Sequence, residues 1–198
     1  MRIGSISENQ KLEKRIAITP EIAKKYIALG FEVLLSKSYG VHLGFKDEEY
    51  KDTGVKILND EKEILKTANV IVQLGLLSED KNELLKENQT CIGVLNPYEN
   101  KEKIDQLVKK KINIFSLELL PRITRAQSMD ILSSQANLAG YKAVVESFAN
   151  FEKAIPMMMT AAGTVPAAKV LVVGAGVAGL QAIATAKRMG AIVFATDV

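Results

Sequence analysis

The chain has 198 residues, of which 47% are hydrophobic and 25% are charged, and its formal net charge is +3. These values are typical of a globular protein with one large domain or about one and a half small ones. The small net charge, carried by scattered lysines, argues against a nucleic-acid-binding surface. Cys91 is the single cysteine, which excludes a disulfide framework or a thiolate metal site, and no other metal cluster is predicted.

The sequence predicts neither a signal peptide nor a membrane span. Its first residues lead directly into a strand-like segment, without a charged region followed by an apolar core. Residues 170–186 carry no charge. This segment is nevertheless shorter than the ~20 residues that a spanning helix needs, and its three glycines have another explanation, given below.

Residues 1–120 alternate between strand-like and helix-like segments. Thr19, Pro20 and Glu21 predict a helix start, with a hydroxyl N-cap, a proline at the first helical position and an acid near the positive end, and Gly30 ends that helix. Further helical patterns occur around residues 79–86 and 100–110. Apolar runs predict strands at residues 2–6, 31–35, 70–74, 91–95 and 112–117. Apolar strands separated by helices predict an α/β fold with a doubly wound parallel sheet.

Polar residues are expected at the carboxyl edge of this sheet, where open α/β sheets bind their ligands. They are Arg15, Gln73, Asn96 and Glu118. For Gln73 and Asn96, an ordinary role at the start of a loop is an equally good interpretation. His42, the single histidine, lies in a glycine-containing loop without an evident partner, so we expect a loop residue and predict no Ser-His-Asp set.

A second candidate segment is a helix predicted from residue 126 to about residue 151. At 100° per residue, one arc of about 120° holds several short polar side chains: Gln127, Asp130, Ser133, Ser134 and Asn137. Arg122 stands just before this helix. Solvated helix faces usually carry Lys and Glu, so short and mostly neutral groups favour a face that binds a carboxamide and ribose hydroxyls. Beyond the helix, Met157, Met158 and Met159 are expected to serve as adaptable packing.

The last thirty residues carry the strongest pattern in the chain. An apolar strand at residues 170–173 is followed by Gly174, Gly176 and Gly179 at G-x-G-x-x-G spacing. A helix predicted up to Gly190 leads to a second apolar strand at residues 191–195. Asp197 follows, 23 positions after the first glycine and close to the ~20 expected for the acidic residue of a dinucleotide-binding β-α-β unit.

Each part of this pattern has a physical reason. The first glycine permits a tight turn, the second lets the backbone approach a pyrophosphate, and the third lets helix and strand pack closely. The helix N-terminus offers free N–H groups to the phosphates. Asp197 can accept both adenosine ribose hydroxyls and would repel a 2′-phosphate, which favours NAD over NADP. The predicted cofactor-binding residues are Gly174, Ala175, Gly176, Val177, Ala178, Gly179, Asp197 and Val198.

Over essentially its whole length, the chain resembles the NAD(H)-binding domain at the N-terminus of the alpha subunit of proton-translocating NAD(P) transhydrogenases. The most specific segments are RAQSMDILSSQANLAGYKAV at residues 125–144 and the stretch at residues 157–191. EKRIAITPE, at residues 13–21, is shared more widely with alanine dehydrogenases, which look like distant relatives of the same fold.

The resemblance implies that Arg122, Gln127, Asp130 and Ser133 match the family's nicotinamide-side positions. It also implies hydride transfer from NADH to NADP⁺ held by a separate domain, coupled to proton movement through membrane-spanning segments outside this sequence. We further expect a homodimer of this domain, on the cytoplasmic face of the membrane. Residues 1–125 would form an N-terminal α/β domain, residues 126–152 a connecting helix, and residues 153–198 the first half of a Rossmann domain.

Two alternatives remain open from the sequence. An alanine-dehydrogenase-like enzyme would bind a keto acid through Arg15, but where such enzymes place a lysine and a histidine, this chain has Gln73 and Asn96. A non-enzymatic NAD-binding regulatory module is the other alternative. Because only a β-α-β segment of the Rossmann domain lies in the sequence, we expect these 198 residues alone to be poorly stable and to bind NADH weakly.

Overall fold

The predicted strands of the first 120 residues form one parallel sheet, joined by a further strand that the sequence did not indicate. The computed structural model describes all 198 residues, which divide into two compact units, Met1–Pro121 and Arg122–Val198. The strands of the first unit are β1 (Arg2–Ser5), β2 (Glu32–Ser36), β3 (Lys56–Leu58), β4 (Val70–Val72), β5 (Thr90–Gly93) and β6 (Asn113–Ser116). Its helices are α1 (Pro20–Ala28), α2 (Asp47–Asp52), α3 (Glu61–Thr67), α4 (Glu79–Asn82) and α5 (Lys101–Lys109).

The order of the strands is that of a doubly wound sheet. It runs β3-β2-β1-β4-β5-β6, and every neighbouring pair is parallel. The direction of winding reverses between β1 and β4, where Ile3 pairs with Val33 on one side and with Val70 on the other. The predicted fold class is therefore confirmed, and the reversal marks the place where such sheets form a crevice.

Alternating strand residues divide the core of this unit into two clusters. One contains Leu34 and Ile71 with the helix residue Ile64, and the other contains Val33 and Leu35 with further buried side chains. Because successive strand residues face opposite sides of a sheet, apolar residues at neighbouring positions bury both faces.

Helix α1 begins as the sequence predicts. Thr19 is its N-cap and accepts a hydrogen bond from the Ile22 N–H at 3.4 Å, with Pro20 in the first helical turn. The helix predicted at residues 79–86 is shorter in the structure, where α4 ends at Asn82.

The second unit contains one long helix, a hairpin and a β-α-β segment. Its elements are α6 (Ile131–Ala149), β7 (Met158–Thr160), β8 (Gly163–Val165), β9 (Lys169–Val173), α7 (Val177–Arg188) and β10 (Ile192–Thr196). As predicted for the β-α-β segment, β9 and β10 pair in parallel, with Val173 opposite Thr196. Helix α6 packs against α7. The three-part division predicted from the sequence stays a prediction.

The expectation that the three consecutive methionines pack is wrong. Met157, Met158 and Met159 are exposed, because the segment forms the antiparallel hairpin β7–β8. The hairpin is held by backbone pairing, such as that of Met159 with Thr164, rather than by side-chain burial.

The second unit buries little apolar volume. Its buried hydrophobic residues are Ala126, Val144, Ala168 and Ala186, and three of these four are alanines. None of the helices in the chain is both long enough and apolar enough to cross a membrane.

Candidate functional site

The turn between β9 and α7 has the geometry that a phosphate-binding glycine turn requires. Gly174 has φ +96°, a conformation that side chains other than glycine rarely adopt. A Cβ added at Gly179 would lie 1.8 Å from the Gly174 carbonyl oxygen, so the third glycine permits the contact between helix and turn. A Cβ added at Gly176 would meet no atom within 4 Å. Gly176 therefore borders open space at the start of the helix.

The first turn of α7 keeps its N–H groups available. Gly176 is the N-cap and has no side chain to accept a hydrogen bond from the helix. The first N–H groups of a helix have no partner within the helix, and together with the helix dipole they favour an anion. This end of α7 is therefore a candidate diphosphate-binding site.

Asp197 lies against this turn because β10 is in register with β9. The Gly174 N–H donates to the Thr196 carbonyl at 2.8 Å, which brings the next residue of β10 to the turn. Asp197 Oδ2 then accepts from the Ala175 N–H at 2.5 Å, and Oδ1 accepts from the Val198 N–H at 2.7 Å. These two backbone hydrogen bonds, above all the one from the Ala175 N–H, hold the pKa of Asp197 below its usual value. The carboxylate is therefore ionised and retains lone pairs for further donors.

A cavity of about 420 Å³ opens between the start of α6 and the glycine turn. Arg122 and Ser133 line it on one side, together with Leu132 and Ala136. The turn side is lined by Val173, Gly174, Gly176, Val177, Ala178 and Gly179. The structure thus brings two of the predicted nicotinamide-side residues together with the predicted diphosphate site.

The other two predicted nicotinamide-side residues line a neighbouring cavity of about 350 Å³. It is lined by Gln127 and Asp130, and Arg122 lines it as well as the first cavity. The four nicotinamide-side candidates therefore lie around two cavities that share the Arg122 side chain.

The prediction of a single helix starting at residue 126 is wrong. Thr124–Met129 forms a 3₁₀ helix, and α6 begins only at Ile131, so Gln127 does not belong to the face of α6. Asp130 is the N-cap of α6, with Oδ1 accepting from the Ser133 N–H at 3.0 Å and Oδ2 from the Ser133 hydroxyl at 2.7 Å. An aspartate side chain competes for the free N–H groups of a helix start, which is why the helix begins here.

The same contacts set the charge of Asp130. The hydrogen bonds from Ser133 lower the pKa of Asp130, and the positive charge of Arg122 lowers it further. Asp130 is therefore an anion beside a permanent cation, and its partner Ser133 is fixed in orientation. Leu132 and Ala136 complete the first cavity and were missed, although their positions flanking Ser133 on the predicted helix could have indicated them.

The candidates of the first unit are engaged in internal hydrogen bonds. Gln73 is only 5% exposed. Its Oε1 accepts from the Ser5 hydroxyl and the Ile6 N–H, and its Nε2 donates to the Ile6 carbonyl and to Glu8. Since both ends of the amide are used, Gln73 joins the ends of β1 and β4 and has the structural role that the sequence left open.

The other candidates of this unit also make internal contacts, but Asn96 does so through its backbone N–H, and Glu118 Oε2 is buried without a hydrogen-bond partner. Arg15 forms an ion pair with Glu13 at 2.6 Å, and the Asn96 N–H donates to Glu118 Oε1 at 2.5 Å. His42, for which the sequence showed no evident partner, has one in the structure, since Nε2 lies 2.7 Å from the Lys14 carbonyl oxygen. His42 lies in the short 3₁₀ helix Val41–Leu43 rather than in an irregular loop, and its contact assembles no catalytic set.

A doubly wound parallel sheet in one unit and a β-α-β glycine turn in the other define an α/β protein of the nucleotide-binding type. The sequence profile of the alanine dehydrogenase/PNT N-terminal domain matches residues 4–139, and that of the C-terminal domain matches residues 143–198. The chain belongs to this family. Membership implies that it binds a nicotinamide nucleotide.

Individual relatives agree with this assignment. The chain is 48% identical over 202 residues to an NAD(P) transhydrogenase subunit alpha polypeptide of Rickettsia prowazekii, covering 100% of this chain and 53% of that protein. It is 30% identical over 201 residues to alanine dehydrogenase of Methanococcus maripaludis, with the same two coverages. The crystal structure of transhydrogenase from Sinorhizobium meliloti matches with a TM-score of 0.94 and 45% identity, covering 100% of this chain and 59% of that one. The chain thus spans about half the length of these curated relatives.

Proposed function

We propose that this chain is the NAD(H)-binding component of a transhydrogenase and passes hydride between NADH and NADP⁺ held on a partner domain. The observation that carries the proposal is the arrangement of the second unit. An uncapped glycine turn beside the ionised Asp197 lines the same cavity as Arg122 and Ser133.

The residues present fit a dinucleotide. The open space at Gly176 leaves room for a diphosphate against the N–H groups of α7. Asp197 has accepting lone pairs left for two ribose hydroxyls, and its negative charge disfavours a 2′-phosphate. These features support NAD(H) rather than NADP(H) as the ligand of this chain.

The nicotinamide-side residues are suited to orienting a carboxamide. The Ser133 hydroxyl donates a hydrogen bond to Asp130, so the hydroxyl oxygen remains available as an acceptor for an amide N–H. Arg122 contributes a cation and Gln127 an amide. When bound, NADH supplies the hydride, and the residues of this chain hold its ring in place and exclude water.

The reaction that we propose needs no proton transfer at the reacting carbons. Oxidation of an amino acid, in contrast, releases a proton as well as a hydride and needs a group of tuned pKa. In the first unit, Arg15 is paired with Glu13, and the amide of Gln73 is used internally. This pairing supports the transhydrogenase proposal over an alanine-dehydrogenase-like activity.

The proposal includes partners outside this chain. These are an NADP(H)-binding domain, membrane-spanning segments that couple hydride transfer to proton translocation, and a second copy of this domain in a homodimer. The whole complex would place the chain on the cytoplasmic face of the membrane.

The test is hydride transfer by the full-length protein mixed with the separate NADP(H)-binding domain. We expect NADH to reduce an NADP⁺ analogue, followed by absorbance, only when both proteins are present. NADH binding without transfer would instead indicate a regulatory module. NADH oxidation that requires pyruvate and ammonia, with no NADP⁺ analogue, would indicate an alanine dehydrogenase.

A further inference from the structure

Helices α6 and α7 are in backbone contact at a single buried glycine, Gly140. A Cβ added there would lie 2.0 Å from the Ala178 carbonyl oxygen and 2.8 Å from its carbonyl carbon. Glycine inside a helix costs about 1 kcal/mol relative to alanine, and Gly140 does not have a positive φ. The reason for glycine at this position is therefore the contact with α7.

The contact joins the two sides of the candidate site. Ala178 is the second residue of α7, at the end that faces the diphosphate site. Ser133 lies seven residues before Gly140 on α6, which is about 10.5 Å along the helix axis at 1.5 Å per residue. Between them, Ala136 lines the cavity that Ser133 shares with the glycine turn. The closeness of α6 to α7 at Gly140 therefore sets the width of that cavity.

One polar contact holds the same two helices. Asn137 Nδ2 donates to Gln181 Oε1 at 3.3 Å, and Gln181 Nε2 donates to the Thr185 hydroxyl at 3.2 Å. This hydrogen bond lies within one turn of Gly140 and supports the approach of the helices that glycine permits.

We propose that Gly140 is a positioning residue that fixes the spacing between the diphosphate-binding turn and the nicotinamide-side residues. This inference rests on the function proposed above. With alanine at 140, the clash is with backbone atoms that cannot rotate away, so α6 must move from α7 by ~1 Å. A misplacement of ~1 Å between reacting groups can cost about 100-fold in rate.

The experiment compares NADH with ADP-ribose, which lacks the nicotinamide ring, on the full-length protein. In Gly140→Ala, we expect the affinity for NADH to fall at least ~10-fold. The affinity for ADP-ribose should fall clearly less than the affinity for NADH, because ADP-ribose contacts only the α7 side of the cavity and does not depend on the distance from α7 to the nicotinamide-side residues of α6. Isothermal titration measures both affinities, and hydride transfer at saturating NADH should fall by ~100-fold.

The matched control is Ala139→Gly, at an exposed neighbouring position. It weakens α6 by the propensity of glycine without touching α7, so both affinities should remain close to wild type. Equal losses of NADH and ADP-ribose binding in Gly140→Ala, or no loss of either, would overturn the role of Gly140. Wild-type protein that binds neither ligand would overturn the proposed function itself.

A second variant covers the case in which Gly140→Ala does not fold. Gln181→Ala removes the hydrogen bond between the helices without introducing a clash. We expect this variant to lower the affinity for NADH about threefold and to leave the affinity for ADP-ribose unchanged, since loss of one neutral hydrogen bond is a small perturbation. Loss of affinity for both ligands to the same extent would overturn the inference.

Discussion

Replacing Gly176 with alanine tests whether the glycine turn binds the diphosphate. The added methyl would meet no protein atom within 4 Å. The backbone of Gly176 has φ −67° and ψ −170°, which alanine can adopt. Without a ligand, the only cost is the poorer N-cap, so the free energy of unfolding should fall by about 1 kcal/mol or less.

With a ligand, the same methyl occupies the space that a diphosphate needs. Losing one hydrogen bond to a charged group costs about 1.5–3 kcal/mol, which corresponds to a loss of roughly 10- to 150-fold in affinity. We therefore expect Gly176→Ala to unfold close to the wild-type temperature and to bind NADH at least ~10-fold more weakly. Thermal unfolding and NADH fluorescence titration measure the two effects separately.

Gly179→Ala is the matched contrast. Its methyl would lie 1.8 Å from the Gly174 carbonyl oxygen, so this variant should lose stability, by about 1–3 kcal/mol as for other overpacked sites. Wild-type NADH affinity in Gly176→Ala would refute the reasoning, because the diphosphate would then lie elsewhere. A large loss of stability in Gly176→Ala would equally show that the space is not open.

Four further predictions concern the same unit. Asp197→Ala should weaken the binding of NADH and reduce the preference for NADH over NADPH in a competition titration. An unchanged preference would contradict the assignment of Asp197 to the ribose hydroxyls. Gln127→Asn should slow hydride transfer more than it weakens NADH binding, whereas equal losses would indicate a simple contact. The lowered pKa of Asp197 means that its contribution to binding of NAD⁺, which unlike NADH is stable in acid, should persist as the pH falls through the ordinary aspartate value of about 3.9 and be lost only below it. Loss of this contribution well above that pH, in a series of NAD⁺ titrations, would contradict the ionised site. In the isolated 198-residue chain, amide hydrogen exchange should be faster in Arg122–Val198 than in Met1–Pro121, because the second unit buries little apolar volume, and NADH should slow exchange there. Equal protection of the two units without ligand would contradict this reasoning.

Sequence patterns correctly predicted the features that depend only on residues adjacent in the chain. The helix start at Thr19, the long apolar strands and the glycine turn each follow from neighbouring residues, and each was found. Strand β3 was missed because it begins with the exposed Lys56 and none of its residues is fully buried, so no continuous apolar run marks it as one marks β4.

The misses in the candidate site have non-local or competing causes. Helical periodicity alone predicted that α6 begins at residue 126. In the structure, Asp130 is the N-cap of this helix, which therefore begins at Ile131. The role of Gln73 depends on Ser5 and Glu8, which lie more than 60 residues away in the chain. The contact of Gly140 with Ala178 is likewise absent from any sequence window.

The bond between Asp130 and Ser133 limits what can replace the aspartate. Its side chain must be short enough to accept the backbone N–H at the start of α6, and it must carry a negative charge beside Arg122. Asparagine, serine and threonine meet the first demand without the second, and glutamate meets the second but is a poorer helix start. Aspartate alone among the ordinary residues satisfies both, so the two demands acting together, rather than either one alone, exclude every other side chain at position 130.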